Sequence, residues 1–423
     1  MFAVCLLLSC ALLLLAHNEY KDFCPVKVFT YYWAFQIILL TVGGYGYLIF
    51  SYWGIFYICL CLLAMNFGAM LSSPIKYSTF NVVRKFRIEV DERKMSLVLW
   101  CCIALGFLQP IRIIISNGFS ISSVLNFQML LEMNNSLSIS RYSDDSAVPG
   151  GMFTQILGVI TYLCPLIGGF MFPICRKKII CYFSIIPLLF GGLTQGVKMG
   201  IITAVLLFLS GYIVSCFMLG KKVTVKFNTI LYAIGCFLLL ICVLLVSMMF
   251  RIGTFDIDTL SVVLKKFISY AFGHLPAFDN WASNQDIISD NLTLGGKLFF
   301  GITNLLGIMH REQGLYQERS IVSIGGDETN VYTLFRVLID DFGFIGCLLF
   351  FVFLGIISQI IYKKLLSLSD YRLSATFLVA LYFMIFWSFV TSVFVYTSYI
   401  AMFVLFYFFI SKTTRRVYNA SRT

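Results

Sequence analysis

The chain has 423 residues, 60% of them hydrophobic and only 12% charged, with a mean hydropathy of +0.90. Soluble domains carry about 25% charged residues, so the composition excludes an ordinary soluble domain and predicts a polytopic membrane protein. The net charge of +11 is a consequence of loop charge in such a protein and gives no ground for a nucleic-acid partner.

A bilayer core takes about 20 apolar residues per helix. In chain order the pattern predicts an all-α helix bundle of about eleven spans, eleven to twelve at most, at 2–16, 30–48, 53–72, 96–115, 151–173, 179–194, 199–219, 229–250, 344–362, 374–394 and 396–411. The first, MFAVCLLLSCALLLLA, lacks the basic start and small-residue cleavage site of a signal peptide, and so reads as a span. Most of the 14 cysteines lie in or beside these apolar runs and read as small hydrophobes. Cys59–Cys61 and Cys101–Cys102 lack metal-ligand spacing and a nearby His.

Charge then orients the loops. One alternate set, including 73–95, 174–178, 220–228, 363–373 and the C-terminus, holds 21 of the 31 basic residues, whereas the opposite set holds 14 of the 20 acidic ones. Lysine and arginine in short loops favour the cytoplasm, so the C-terminus is expected inside. The outside carries a smaller segment at 116–150 and one long loop, 252–343, between the eighth and ninth spans. Within that loop Ile257–Phe272 and Gly296–Met309 are apolar at helical spacing, which predicts short helices lying on or dipping into the membrane surface. No internal repeat or Pro-rich linker interrupts the chain, which reads as a single multi-span domain over 1–423.

Ionisable residues at the outer edge are functional candidates because their desolvation is costly. Arg112 in QPIRIIIS and Arg251 after LLVSMMF stand against the charge bias; either anchors to lipid phosphate, or both converge with others on one anion. Lys198, in the polar turn TQGVK, is a snorkelling lysine or a fixed cation for an anionic substrate. Asp256-Ile257-Asp258 and Asp327-Glu328 are the places to look for a divalent ion, but a three-residue acidic pattern is weak and no metal is expected. In FGHLPAFDNW, Trp281 reads as a sugar-contacting face or a membrane-interface aromatic, with Asp279 a polar neighbour. His274 is either a proton acceptor near neutral pH or a hydrogen-bonded loop histidine. No phosphate-binding glycine loop and no H-E-x-x-H is present.

The end of the loop carries TNVYTLFRVLIDDFGFIG, with Arg336, Asp340 and Asp341 directly before an apolar run. FGHLPAFDNW, Gly325-Gly326, then N-x-Y-T (Asn330, Tyr332) and D-F-G-x-x-G resemble, in order and spacing, the Wzy-type oligosaccharide repeat-unit polymerases of bacterial O-antigen and related surface polysaccharides. The residue-level similarity is confined to 270–281 and 329–346, with the TQGVK turn as a weaker third element.

That resemblance implies a lipid-donor glycosyltransferase of the bacterial inner membrane that joins undecaprenyl-diphosphate-linked repeat units on the periplasmic face, without a cofactor and with a chain-length regulator protein as a candidate partner. A diphosphate leaving group needs cations where charge develops; Lys198, Arg251, Arg319 and Arg336 are the candidates. The attacking hydroxyl needs an acceptor, for which Asp341, Asp340 and His274 are available. Asp340 and Asp341 equally suit a cap on the ninth helix. An O-antigen ligase and a polysaccharide flippase are the rival readings.

Overall fold

The computed structural model describes residues 1–20, 23–72, 86–140, 151–195, 198–221, 241–246, 256–287, 292–310 and 316–418, with a few further positions between 223 and 252. The apolar runs form helices, as their composition dictates: α1 (Phe2–Glu19), α2 (Pro25–Gly43), α3 (Trp53–Leu71), α4 (Glu92–Ser116), α5 (Phe127–Ser140), α6 (Gly151–Met171), α7 (Ile179–Phe183), α8 (Ile186–Thr194) and α9 (Lys198–Leu219). Three short helices follow in the long loop, α10 (Ile257–Phe272), α11 (His274–Ser283) and α12 (Phe300–Leu305), and then α13 (Leu334–Ser367), α14 (Tyr371–Trp387) and α15 (Thr397–Thr413). Two-stranded ladders complete the fold: β1 (Phe86–Val90) with β4 (Thr414–Tyr418), and β2 (Ser320–Ile321) antiparallel to β3 (Glu328–Thr329).

Among the described residues, seven helices are long and apolar enough to cross a bilayer: α1, α2, α3, α4, α6, α9 from Met199, and α13. The α7–α8 stretch, α14 and α15 are apolar but shorter. Half of the eighth expected span, 229–250, lies outside the described residues, and the other half is helical where described. The sixth, expected as one helix, is two, because Pro187 at the start of α8 offers no N–H to the preceding turn. The ninth begins ten residues earlier than expected. Its helix starts at Leu334 and is broken at Gly343 (φ 69°, ψ 177°), a conformation open essentially to glycine. Arg336, Asp340 and Asp341 therefore ride on a half-helix, 334–342, instead of lying in a loop before the span.

The helices pack in two compact units. In the first, comprising 1–86 and 266–400, α13 lies along α3. A Cβ on Gly68 would stand 2.0 Å from Val352 O, and one on Gly355 2.1 Å from Met65 O. Two small residues thus let the backbones touch, the device by which helices pack in lipid without a hydrophobic drive. The core around them holds Phe29, Trp33, Phe335 and Phe351. In the second unit, comprising 87–265 and 401–418, α6 packs between α4 and α9.

Within each unit, connections expected on the same side gather at the same end. In the first, Ile49 N donates to Val322 O (3.0 Å), Ile324 N to Tyr47 O (3.0 Å), and Thr397 Oγ1 to Gly301 O (2.9 Å), all joining segments expected outside. At the opposite end, Lys363 Nζ donates to Ser72 O (2.7 Å) and Tyr382 Oη to Phe23 O. In the second, Asp91 N donates to Thr413 O (3.0 Å), and Arg176 N to Glu92 Oε1 (3.2 Å). The cysteines described are free thiols, most of them buried in the apolar interior.

Candidate functional site

The half-helix 334–342 follows Thr333, whose extended backbone (φ −85°, ψ 169°) turns the chain, and is pinned at its start by Leu334 N donating to Ser388 O at 2.8 Å. Arg336 and Asp340 are four residues apart and so share a face. The Arg336 guanidinium lies 3.8 Å from the Tyr316 ring centroid, 4.0 Å from Tyr332 and 4.8 Å from Trp281. Its Nη2 donates to Glu318 Oε2 at 2.8 Å. Asp340 Oδ2 accepts from Lys297 Nζ and from Tyr316 Oη, both at 2.8 Å. Lys297 in turn sits 5.5 Å from the Tyr316 ring.

Arg336 is only 5% exposed, and its Nε and Nη1 have no hydrogen-bond partner among the described residues. Each buried donor left unpaired costs about 1–3 kcal/mol, which ring contacts worth about 0.5–2 kcal/mol offset only in part. An apolar residue would serve stability better. The described residues offer those two donors no acceptor. The partner Glu318 is 72% exposed, so the cluster opens to solvent on its side. Burial drives the Tyr316 and Tyr332 phenols upward, which keeps them as neutral donors and ring faces.

Asp341 does something else. It is fully buried, with Oδ1 accepting from Lys297 N (2.9 Å) and Thr293 Oγ1, and Oδ2 from Leu298 N (2.7 Å). Asp340 O and Asp341 O accept from Thr293 N (3.3 Å) and Leu294 N (3.0 Å). This corrects both expectations for Asp341. It neither faces a reacting hydroxyl nor caps the ninth helix; it clamps segment 293–298 against the end of the half-helix. The clamp holds the chain so that Lys297 reaches Asp340.

Other candidates are also committed to structure. Asp279 is fully buried and accepts from Ser51 N (2.6 Å), Tyr52 N (2.8 Å), Gly54 N (2.7 Å) and Ile55 N (3.3 Å), which caps the N-terminus of α3 from a distant residue. Burial raises its pKa against the pull of those donors. It is not a substrate ligand. His274 is 2% exposed; its Nε2 donates to Gln36 Oε1 at 2.7 Å, and Trp33 and Phe389 pack around the ring. Burial pushes its pKa down to about 4, which makes it a weak proton acceptor, and the ring is enclosed, which corrects its reading as a base.

The His274 shift carries a pH dependence. Its folded pKa lies below the ordinary ~6.5, so the fold is fully stable above that value and loses up to roughly 3 kcal/mol as pH falls toward 4. His274→Gln should flatten this part of the acid limb. Thermal unfolding in detergent at neutral pH and near pH 4.5 measures it, and equal acid slopes in the two proteins would remove the assignment.

Arg319 is 71% exposed and pairs with Glu328 at 3.9 Å, an ordinary surface contact outside the cluster. Asn330 is exposed at the end of β3. Tyr332 is buried and donates to Glu318 O at 3.3 Å. Lys198 begins α9 in the second unit, and Arg251 lies outside the described residues. Of the acidic pairs, Asp256 caps α10 through Thr259 N (2.6 Å), and Asp327 accepts from Tyr47 Oη and Ser323 Oγ, each at 2.6 Å. The site thus unites Arg336, Asp340, Tyr332 and Trp281 with three residues that pattern reading missed, Lys297, Tyr316 and Glu318. Lys297 carried the signal used for Arg319, a cation on the acidic side; Tyr316 and Glu318 carried none.

No family model matches the chain, and no curated protein or solved structure shows significant similarity to it.

Proposed function

We propose that this chain is a Wzy-type polymerase that joins undecaprenyl-diphosphate-linked oligosaccharide repeat units on the periplasmic face of a bacterial inner membrane, with its C-terminus in the cytoplasm. The observation that carries the reading is Arg336, a buried cation with two uncommitted donors set in an aromatic cage beside the Lys297–Asp340 pair. A diphosphate supplies the oxygens that Nε and Nη1 lack, and the guanidinium fork suits it. Trp281 and the tyrosines offer apolar ring faces of the kind that pack against sugars.

In the reaction, an acceptor hydroxyl forms a bond to the anomeric carbon of the growing glycan while that carbon's bond to the diphosphate oxygen breaks. The hydroxyl proton passes to Asp340, whose Oδ1 takes no part in the bonds from Lys297 and Tyr316. The departing diphosphate takes the electron pair, and Arg336 and Lys297 receive its charge. The activated bond comes with the substrate, so the step balances without a cofactor.

The break in α13 favours a second reading, a polysaccharide flippase, since discontinuous helices are common in transporters. Deleting the coding region and resolving surface lipopolysaccharide on a gel separates the two. Loss of the ladder with a single-repeat product retained is the result expected for a polymerase; complete loss of O-antigen would instead mean a flippase or a ligase.

A further inference from the structure

Directly beside the cation cluster, segment 293–309 leaves an open groove of about 600 Å³, within the ~300–1,000 Å³ typical of small-molecule sites. Leu294, Phe299, Ile308, Met309 and Phe342 line it, and the hydroxyls of its two threonines are committed, Thr303 Oγ1 donating to Gly296 O at 3.0 Å and Thr293 Oγ1 to Asp341 Oδ1. Leu294 has φ +49° and is 79% exposed. A leucine held in the left-handed region with its side chain in the open is costly twice over, once in backbone strain and once in exposed apolar area. It is held there by the bond from its N–H to Asp341 O, part of the same clamp that places Lys297. Ile308 is 68% exposed, so this part of the groove wall is left open among the described residues.

The groove and the cluster are continuous along the chain. Gly296, in the groove lining, precedes Lys297, and Phe342 follows Asp340 and Asp341. One molecule with an anionic head and an apolar chain would meet both at once. We propose that the groove receives the head-proximal part of the isoprenoid chain of the lipid-linked substrate, with Leu294 and Ile308 as its principal contacts. The inference rests on the polymerase reading, which supplies the isoprenoid identity of the chain.

The test uses the full-length protein in lipid nanodiscs with two photoreactive probes, a polyprenyl diphosphate carrying a diazirine on its hydrocarbon chain and a phosphatidylethanolamine carrying one on an acyl chain. The prenyl probe should label the 293–309 peptide, and unlabelled polyprenyl diphosphate should compete. Leu294→Asn with Ile308→Ser should reduce labelling about tenfold, Asn being chosen because it tolerates the left-handed backbone. Ile308→Ser alone covers a folding failure of the pair, and Leu305→Ser, exposed but outside the groove, should label normally. Equal labelling by the phospholipid probe without competition would reduce the groove to bilayer contact and overturn the proposal, as would unchanged labelling of the variants. Polymer synthesis from a lipid-linked repeat unit, followed in the same samples, keeps the two readings apart. A protein that takes the probe and makes no polymer ends the polymerase reading alone, and one that polymerises without labelling ends the groove alone.

Discussion

Arg336→Ala should abolish polymer while the protein still inserts at normal levels. The side chain is buried, yet its stabilising value is small, since two of its nitrogens are unpaired and its one ion-pair partner is mostly solvent-exposed. Removing it relieves unpaired donors and leaves a void between three rings, two effects of opposite sign. Its value to the reaction is larger, because loss of one well-placed donor to developing negative charge typically costs about 10²–10³-fold in rate. Arg336→Lys keeps the charge but loses the planar fork and the stacking on Tyr316 and Tyr332, so it should recover only part of the activity. Turnover by purified protein and membrane levels by immunoblot provide the comparison. Full-length polymer from the alanine variant would remove Arg336 from the site.

Asp341→Asn should lose activity by a different route, through the fold of the loop. The carboxylate receives three donors, the Thr293 hydroxyl and the N–H groups of Lys297 and Leu298. An amide presents an NH₂ to one of them, and a buried donor left facing a donor costs about 1–3 kcal/mol, more where the lost acceptor was charged. Segment 292–310 should then become cleavable by added protease in outward-facing vesicles, and polymer should fall with it. Asp340→Asn should leave the segment protected and lower turnover alone, because Asp341 still holds both N–H groups. Loss of turnover by Asp341→Asn with full protection would return Asp341 to the chemistry.

The helices were legible because apolar runs of bilayer length have few other outcomes; the break in the sixth span went unread although Pro187 marks it. The half-helix 334–342 was not legible, because Arg336, Asp340 and Asp341 make TLFRVLIDD look like loop, although Leu334, Phe335, Val337, Leu338 and Ile339 are all buried. Residue type also marked His274 and Asp279 as site candidates, whereas both are committed to the fold. Their partners, Gln36 and the first turn of α3, lie more than 220 positions away, and no local pattern encodes that distance. For the same reason Tyr316 and Lys297, which complete the cluster from 24 and 43 positions before Asp340, could not be assembled by reading along the chain.

Gly343 has a further consequence for how the protein fits different membranes. The apolar part of α13 after the break, 344–362, is about 28 Å long at ~1.5 Å per residue, close to a hydrocarbon thickness near ~30 Å. In a thinner bilayer such a rod accommodates the mismatch by tilting, and its tilt changes with the thickness of the surrounding bilayer. An unbroken helix would swing Arg336 and Asp340 through the same angle. With the ladder of helical bonds interrupted at Gly343, and the outer half tied instead to Ser388 and to segment 293–298, the rod can lean while the cluster keeps its orientation. Activity should accordingly vary little across bilayers of increasing acyl length, until replacing Gly343 by alanine couples the two halves.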